Sequence, residues 1–473
     1  MITLYTPGTG FPDLEVKIAY GLARVGIEAY GRAERVVILP EAGYYIVKIE
    51  GDMEKLNYTF NFLCNRLLQS EYIFLSTPGI KRSGKIGEKG WNLLARENKS
   101  RQLNKYLRFS FFLQNRKEEP ICNHNGEKVG IQIGFSACTS YHQSRDKIDI
   151  QKNKRGLRRP TSPKKLCKTC GLLAILGMWF ASFIFNIRQK EVIVIPIPQN
   201  KITGEDLEKI FSLQHYLHKE YLPADIPSVL IPLAFLAKIP STTEIFNKNF
   251  NLFIGLLVKQ GQVYHVESTY LISIEDYLKF LENPYNIVSV DKMLQKGAFG
   301  ALQELHKVVY YKNLPSLLSF PRLYVQETTT DSYVNLLYPD TARYLLEEVA
   351  MIKPEIIKNE AISSVARTLR YFVREKKYHY ADNIRNARKD SKDLEETLVK
   401  MLREAELRKI QEDEKKKAGK EYRPVNIPSE KEIKELFQLA NENFDEVKTA
   451  LAILAFSFPA KREEIEKEIK EEV

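Results

Sequence analysis

The chain changes character within the stretch KKLCKTCGLLAILGMWFASFIFNI, which covers residues 164–187. A basic segment from Lys152 to Lys168 leads into the two cysteines and is interrupted by Pro160 and Pro163. An almost uncharged apolar run follows, from Leu172 to Ile187, and this run predicts a buried helix. Cysteines at such a junction are placed to fix a cationic segment to the start of a core helix. This arrangement is typical of a protein that binds polyanions.

The spacing Cys167-x-x-Cys170 has two functional interpretations. A redox pair sits at a helix start after a strand, but here a segment rich in lysine and proline precedes the cysteines, so redox chemistry is disfavoured. The second interpretation is half of a structural zinc site, which needs two more Cys or His ligands. Cys138 and His142 form an upstream Cys-x3-His pair that would complete it. Cys122 with His124 is the alternative pair, and two free thiols are the alternative without a metal.

The cysteine count and the length of the apolar run bear on location. Five cysteines in 473 residues argue against a secreted disulfide scaffold. No secretory signal is visible at Met1, so we expect an intracellular protein. The apolar run is about 16 residues long, short of the roughly 20 that a membrane-spanning helix needs. A membrane helix is the alternative to the buried helix.

Charge is distributed unevenly along the chain. The formal net charge is +11, yet residues 390–473 hold 17 Lys and Arg against 22 Asp and Glu. The basic body therefore favours nucleic acid or another anionic partner. The acidic tail is expected to pack on protein. The richness in Lys, Glu, Ile and Tyr is typical of a thermophile.

The order of the patterns predicts an α+β fold. We expect a mixed α/β body over residues 1–339, with the cysteine knuckle and basic loop at about 120–187, and a C-terminal α-helical bundle over residues 340–473. Two hairpins are expected, at residues 35–50 and 251–273. Asp13 is expected to cap the first helix. Thr203-Gly-Glu-Asp206 resembles a capping box.

Two basic loops are candidates for contact with phosphates. Lys81, Arg82 and Lys85 lie in a glycine-rich loop that nearly matches a Walker A loop but has Ile86 where Ser or Thr must bind magnesium. Nucleotide hydrolysis is therefore rejected, and phosphate contact competes with an ordinary turn. The second loop contributes Arg155, Arg158, Arg159, Lys164 and Lys165. A nucleic-acid contact is favoured there over a solvated surface loop.

A third candidate is the predicted helix over residues 355–377. At about 100° per residue, one sector holds Arg367, Arg370, Arg374 and Lys377. Ile362, Val365, Leu369 and Phe372 share the opposite sector. Because Glu375 is the only acid nearby in the sequence, this stripe favours nucleic-acid contact over a self-neutralised surface helix.

No familiar catalytic signature is visible in the sequence. His215 and His218 form a His-x-x-His pair without a carboxylate cluster, and neither His-Glu-x-x-His nor Gly-x-Ser-x-Gly occurs. A binding or scaffolding role is therefore favoured over an enzyme. The glycines in the loop from Thr6 to Phe11 are too few for a dinucleotide fingerprint and predict a tight turn.

Three features together resemble a known family. They are Cys167-x-x-Cys-Gly171 before an apolar helix, Thr6–Phe11 before an Asp13-led helix, and the Ala366–Tyr371 stretch in a helical C-terminal region. With the basic α/β body, they are similar to the large subunit of a CRISPR surveillance complex, in particular the archaeal subtype I-A Cascade.

The resemblance implies a non-catalytic subunit that binds crRNA and target DNA and recognises the protospacer-adjacent motif. It implies three neighbouring subunits, which are the backbone repeat protein, the small subunit and the 5′-handle-binding subunit. It also implies recruitment of a helicase–nuclease and a zinc site at the knuckle. A double knuckle of four cysteines is not matched, because only one Cys-x-x-Cys is present. The alternative is a metal-dependent nuclease or another nucleic-acid-processing enzyme.

Overall fold

The computed structural model describes residues 1–69, 109–113, 124, 128–130, 165–187, 190–217, 222–239, 242–246, 250–260, 263–330, 333–389 and 392–459. The chain divides into two compact units. The first comprises Met1–Asp225 and Lys238–Glu275, and the second comprises Ile226–Ala237 and Asp276–Val473. Sheets in the first unit and helices in the second confirm the predicted α+β class with a helical C-terminal region.

The described strands belong to the first unit and pair antiparallel. They are β1 (Ile2–Tyr5), β2 (Val36–Glu41), β3 (Tyr44–Ile49), β4 (Lys128–Gly130), β5 (Lys165–Cys167), β6 (Phe183–Ile187), β7 (Lys190–Pro198), β8 (Ile202–Thr203), β9 (Phe250–Gln260) and β10 (Val263–Ser273). One sheet has the order β1-β3-β2-β8 and another the order β10-β9-β7-β6. Strands β4 and β5 form a separate ribbon.

Both predicted hairpins are confirmed. Strand β2 turns into β3 with Glu41 opposite Tyr44, and Gly43 takes a φ of +85° in the turn. Strand β9 turns into β10 with Gln260 opposite Val263. Burial alternates along β2, with Val36 and Ile38 buried on one face, and this alternation fixes the register.

Helices alternate with these strands along the first part of the chain. They are α1 (Pro12–Tyr30), α2 (Met53–Gln69), α3 (Lys168–Ala181), α4 (Gly204–Leu217), α5 (Ile231–Lys238) and α6 (Thr242–Phe246). The predicted capping box opens α4. The Thr203 amide donates to Asp206 Oδ2 over 2.9 Å, and the Asp206 amide donates back to Thr203 Oγ1 over 3.4 Å.

Helix α1 begins differently from the prediction. Phe11 is the N-cap and Pro12 the first helical residue, where proline's fixed φ and missing N–H suit the position. Asp13 is therefore not the cap. It lies inside the first turn, where its Oδ2 is 3.5 Å from Lys17 Nζ, and both side chains are fully buried. Because both side chains are out of contact with water, removing either one would leave a buried unpaired charge and destabilise the fold.

The apolar run after Cys170 is only partly helical. Helix α3 ends at Ala181, Ser182 breaks the pattern, and Phe183–Ile187 forms β6 beside β7. The prediction of a single buried helix to Ile187 is therefore wrong, because aromatic and β-branched residues after Ser182 favour a strand. Among the described residues, no helix combines the length and the apolar character needed to cross a membrane.

Helices α1 and α3 meet backbone to backbone. A Cβ on Gly177 would overlap the carbonyl oxygen of Lys17, and a Cβ on Gly21 would overlap that of Leu173. Only glycine allows this approach. The contact fixes α3 against α1, and so fixes the two cysteines at the N-terminal end of α3.

Apart from α5, most of which belongs to the second unit, the helices of that unit follow β10. They are α7 (Glu275–Leu281), α8 (Pro284–Lys296), α9 (Phe299–Tyr311), α10 (Leu314–Thr328), α11 (Pro339–Tyr344), α12 (Pro354–Ile357), α13 (Glu360–Arg374), α14 (His379–Asn386), α15 (Asp393–Lys417), α16 (Glu430–Glu442) and α17 (Phe444–Leu454). The change from strands to helices occurs near residue 275. The boundary predicted between residues 339 and 340 falls inside this unit.

Candidate metal centre

Three soft or imidazole ligands meet in the core of the first unit. The ring of His124 and the thiols of Cys167 and Cys170 bring their ligand atoms within 4.8 Å of one another. His124 Nδ1 lies 3.4 Å from Cys167 Sγ and 3.2 Å from Cys170 Sγ. All three side chains are buried. We call these three residues the His–Cys–Cys group.

The end of β5 and the start of α3 position the two thiols. Cys167 is both the last residue of β5 and the N-cap of α3, so a strand does precede the cysteine pair, and the expectation that only a loop precedes it is wrong. Its Sγ accepts a hydrogen bond from the Cys170 amide over 3.3 Å. A thiolate bound to a metal at this position would gain from the partial positive charge of the helix N-terminus. The sequence therefore places a candidate metal ligand at a helix cap.

The β4–β5 ribbon connects the thiols to the segment that carries His124. Lys128 pairs with Cys167 and Gly130 with Lys165. Because β4 starts four residues after His124, pairing it with β5 brings the imidazole next to the cysteines. His124 and Cys167 are 43 residues apart in the sequence.

A row of phenylalanines covers the imidazole. Phe112 packs edge to face on His124 with ring centroids 4.9 Å apart. Phe109 touches Phe112, and Phe60 of α2 touches Phe109 at a centroid distance of 5.3 Å. These rings are fully buried. They restrict the orientation of the imidazole and exclude water, as the surroundings of a structural metal site do.

The chemistry of the His–Cys–Cys group suits a metal ion with a structural role. Thiolate and imidazole ligands select zinc and other soft or borderline ions. Given Zn–S and Zn–N bonds of about 2.3 and 2.0 Å, tetrahedral ligands lie roughly 3.5 Å apart. The observed S···N distances of 3.2 and 3.4 Å are close to that value. The group can therefore hold a metal ion with little rearrangement.

The structure unites part of the predicted ligand set. His124 lies beside Cys167 and Cys170, and it belongs to the alternative predicted pair, Cys122 with His124. Cys138, His142 and Cys122 lie outside the described residues.

The two predicted basic loops fall almost wholly outside the described residues. This holds for Lys81, Arg82 and Lys85 in the first loop, and for Arg155, Arg158, Arg159 and Lys164 in the second. Lys165 is described as the first residue of β5. Contact of these residues with nucleic acid stays a prediction.

The predicted arginine stripe is not the open cationic face that the sequence suggests. Arg370 is only 6 % exposed, and its guanidinium lies 3.5 Å from the Leu454 carbonyl oxygen. Arg367 pairs with Glu360. Arg374 is partly buried, and Lys377 Nζ is 2.5 Å from Glu404. The opposite sector, with Ile362, Val365, Leu369 and Phe372, is buried as predicted.

Acids from the same helix and from neighbouring helices compensate part of this stripe. Glu404 comes from α15 and Glu432 from α16. The Glu432 pKa is lowered chiefly by a hydrogen bond from the Ser429 amide, and the charge of Arg367 lowers it further. Glu375, the only acid expected near the stripe, pairs instead with Arg423 at 3.1 Å. Glu360 lies in the same helix as Arg367 and Glu404 comes from a helix distant in sequence, so the expectation that Glu375 is the only acid near the stripe is wrong.

The N-terminal glycine-rich loop holds a carboxylate of its own. The amides of Gly8 and Thr9 donate to the two carboxylate oxygens of Glu15 over 2.9 and 2.6 Å. Burial raises the Glu15 pKa, and these hydrogen bonds offset part of that rise. Because Glu15 already satisfies the amides, the loop is a tight turn, as predicted, and does not present them to a phosphate.

Comparison of the sequence with known protein families gave no match, and comparison with characterised proteins gave none either. The features of the chain that bear on function are the His–Cys–Cys group and the positive charge of the sequence between its ligands.

Proposed function

We propose that the chain is a non-catalytic nucleic-acid-binding protein in which zinc, held by the His–Cys–Cys group, closes a basic segment at its base. The supporting observation is the convergence of His124, Cys167 and Cys170 in a dry site. The basic residues 152–164 lie in the sequence between His124 and Cys167. A metal held by ligands on both sides of that segment would restrict its conformations. The segment would then lose less entropy when it binds a polyanion.

Cys122 is proposed as the fourth ligand. A structural zinc site is closed by four protein ligands, and the His–Cys–Cys group supplies three. Cys122 stands two residues before His124 in the sequence. That spacing favours it over Cys138 and His142, which belong to the segment that the site would close.

A structural role for the metal is supported over a nuclease role. Metal-dependent nucleases hold hard cations through carboxylates and need an open position for water and substrate. The His–Cys–Cys group contains no carboxylate and is buried. The His–Cys–Cys group therefore gives no support to the metal-dependent nuclease as a second candidate.

Within this class, we propose the large subunit of a type I-A CRISPR interference complex as the biological role. The mixed N-terminal part and helical C-terminal part agree with what the resemblance implies. In this role the chain would contact crRNA and target DNA, recognise the protospacer-adjacent motif, and sit beside the backbone repeat protein, the small subunit and the 5′-handle-binding subunit. A helicase–nuclease recruited by the complex would supply the cleavage.

Replacing Arg155, Arg158 and Arg159 by alanine is expected to weaken DNA binding regardless of sequence. Each lost phosphate contact should flatten the slope of log affinity against log salt by up to about 0.9. The measurement is a salt titration of duplex binding by fluorescence anisotropy. A matched control replaces Lys415, Lys416 and Lys417, exposed residues at the end of α15, and removes the same charge. Equal slopes in the loop variant and the unmodified chain would remove the loop from the binding surface.

A further inference from the structure

One face of α8 combines an exposed aromatic ring with two lysines. Tyr285, Lys292 and Lys296 follow one another at i, i+7 and i+11, so they line up along the helix. The opposite face, which includes Val290 and Leu294, is buried. From the rise of 1.5 Å per residue, the two lysines are about 6 Å apart along the axis. We call these three residues the α8 surface.

Lys292 is held in place without a carboxylate. Its Nζ donates to Asn335 Oδ1 over 2.9 Å and lies 5.8 Å from the ring centroid of Tyr338. Asn335 is itself fixed, because its Nδ2 donates to the Thr328 carbonyl over 2.6 Å. Partial burial and the nearby charge of Lys296 lower the Lys292 pKa. An additional anion would stabilise this ammonium.

Lys292 and Lys296 form no described ion pair, unlike several other cations of the second unit. Those whose ion pairs are described include Lys279 with Glu348 at 2.6 Å, Lys312 with Asp276 at 3.1 Å and Arg322 with Asp382 at 3.2 Å. Within the described part of the chain, neither Lys292 nor Lys296 forms such a pair. The acid on the same helix, Asp291, accepts a hydrogen bond from Gln295 over 2.5 Å. The two lysines therefore present positive charge that the described residues leave uncompensated.

The aromatic part of the surface is rigid. The rings of Tyr285 and Tyr338 lie 5.1 Å apart at an angle of 32°, and Phe458 supports Tyr338 with centroids 6.4 Å apart. Tyr285 is 44 % exposed. A tyrosine that packs against a second ring and is still exposed to solvent can stack on a nucleobase. The base must be unpaired and unstacked to make this contact.

We infer that the α8 surface binds single-stranded nucleic acid, with Lys292 and Lys296 on the phosphates and Tyr285 stacked on a base. This inference rests on the proposed nucleic-acid-binding function and adds a second contact surface, in the helical unit. Single strands are favoured over duplex because a duplex keeps the faces of its bases covered. A cationic track beside an aromatic ring is the combination that single-strand-binding proteins use.

The test uses the full chain and a labelled single-stranded oligonucleotide of mixed sequence, with a duplex of equal length beside it. The variant Lys292→Gln with Lys296→Gln is expected to flatten the salt slope for the single strand by about 0.7 for each lost contact. Tyr285→Leu should weaken single-strand binding roughly five- to hundred-fold and leave duplex binding unchanged. The control is Lys307→Gln with Lys312→Gln, which removes the same charge from lysines that are paired with Glu304 and Asp276.

The outcomes separate this inference from the proposed function. If the full chain binds the single strand but both variants behave like the control, the α8 surface is not the site, although the proposed function stands. If the full chain binds neither form of DNA, the proposed function fails as well. If a mononucleotide or inorganic phosphate competes at equal phosphate concentration, the surface is a small-anion site and the inference is overturned.

Discussion

Cys170→Ser is expected to abolish zinc binding and to unfold the segment around β4 and β5. Zinc in structural sites contributes apparent binding free energies of about 10–16 kcal/mol at neutral pH in small zinc domains. Serine removes a thiolate from a group that has no water access to replace it. The measurement is zinc per chain by elemental analysis after dialysis, together with thermal unfolding.

Cys64→Ala serves as the control for this experiment. Cys64 is also a buried free cysteine, and burial raises its pKa, so the thiol stays neutral. It belongs to α2 and is not part of the His–Cys–Cys group. The control should lose some packing energy and keep its zinc. If Cys170→Ser retained one zinc per chain, the His–Cys–Cys group could not be the metal site.

Gly21→Ala is expected to destabilise the first unit far more than its single methyl group suggests. The new Cβ would overlap the backbone carbonyl of Leu173, so α1 and α3 would have to separate. Overpacking of this kind costs about 1–3 kcal/mol or more. The urea unfolding transition of the first unit measures the loss in the free energy of unfolding.

Gly26→Ala is the matched control, because it lies in the same helix and carries the same helix-propensity gain. Its Cβ would meet only side-chain atoms of Ile49, the nearest at 2.9 Å, and a side chain can shift. The free energy of unfolding should therefore fall less than in Gly21→Ala. Equal effects of the two substitutions would show that the close contact between α1 and α3 does not hold α3 in place.

Local patterns predicted those parts of the fold that depend on neighbouring residues. The hairpins and the Thr203–Asp206 capping box follow from turn residues and from side chains three positions apart. The prediction of one helix from Leu172 to Ile187 is wrong, because a fully buried strand and a buried helix can have the same continuous apolar sequence. Helices α8 and α9 were missed although signals exist, including the Asn283 cap before Pro284 and Gly297 with a φ of +67°.

The candidate site was predictable only in part. The cysteine pair is visible from its spacing, but the choice of His124 depends on β4 pairing with β5 across a long stretch of chain. Charge was misjudged for the same reason. Arg367 and Lys377 meet acids from their own and other helices, whereas Lys292 and Lys296 remain uncompensated among the described residues. Which cations stay open is decided by tertiary packing rather than by local composition.

The most direct test of the central claim is X-ray absorption at the zinc edge of the purified full chain. The proposed site predicts a first shell of three sulfurs at about 2.3 Å and one nitrogen at about 2.0 Å. These would come from Cys122, Cys167, Cys170 and His124. A shell of nitrogen and oxygen alone, or a chain that retains no zinc, would contradict a metal-closed basic segment.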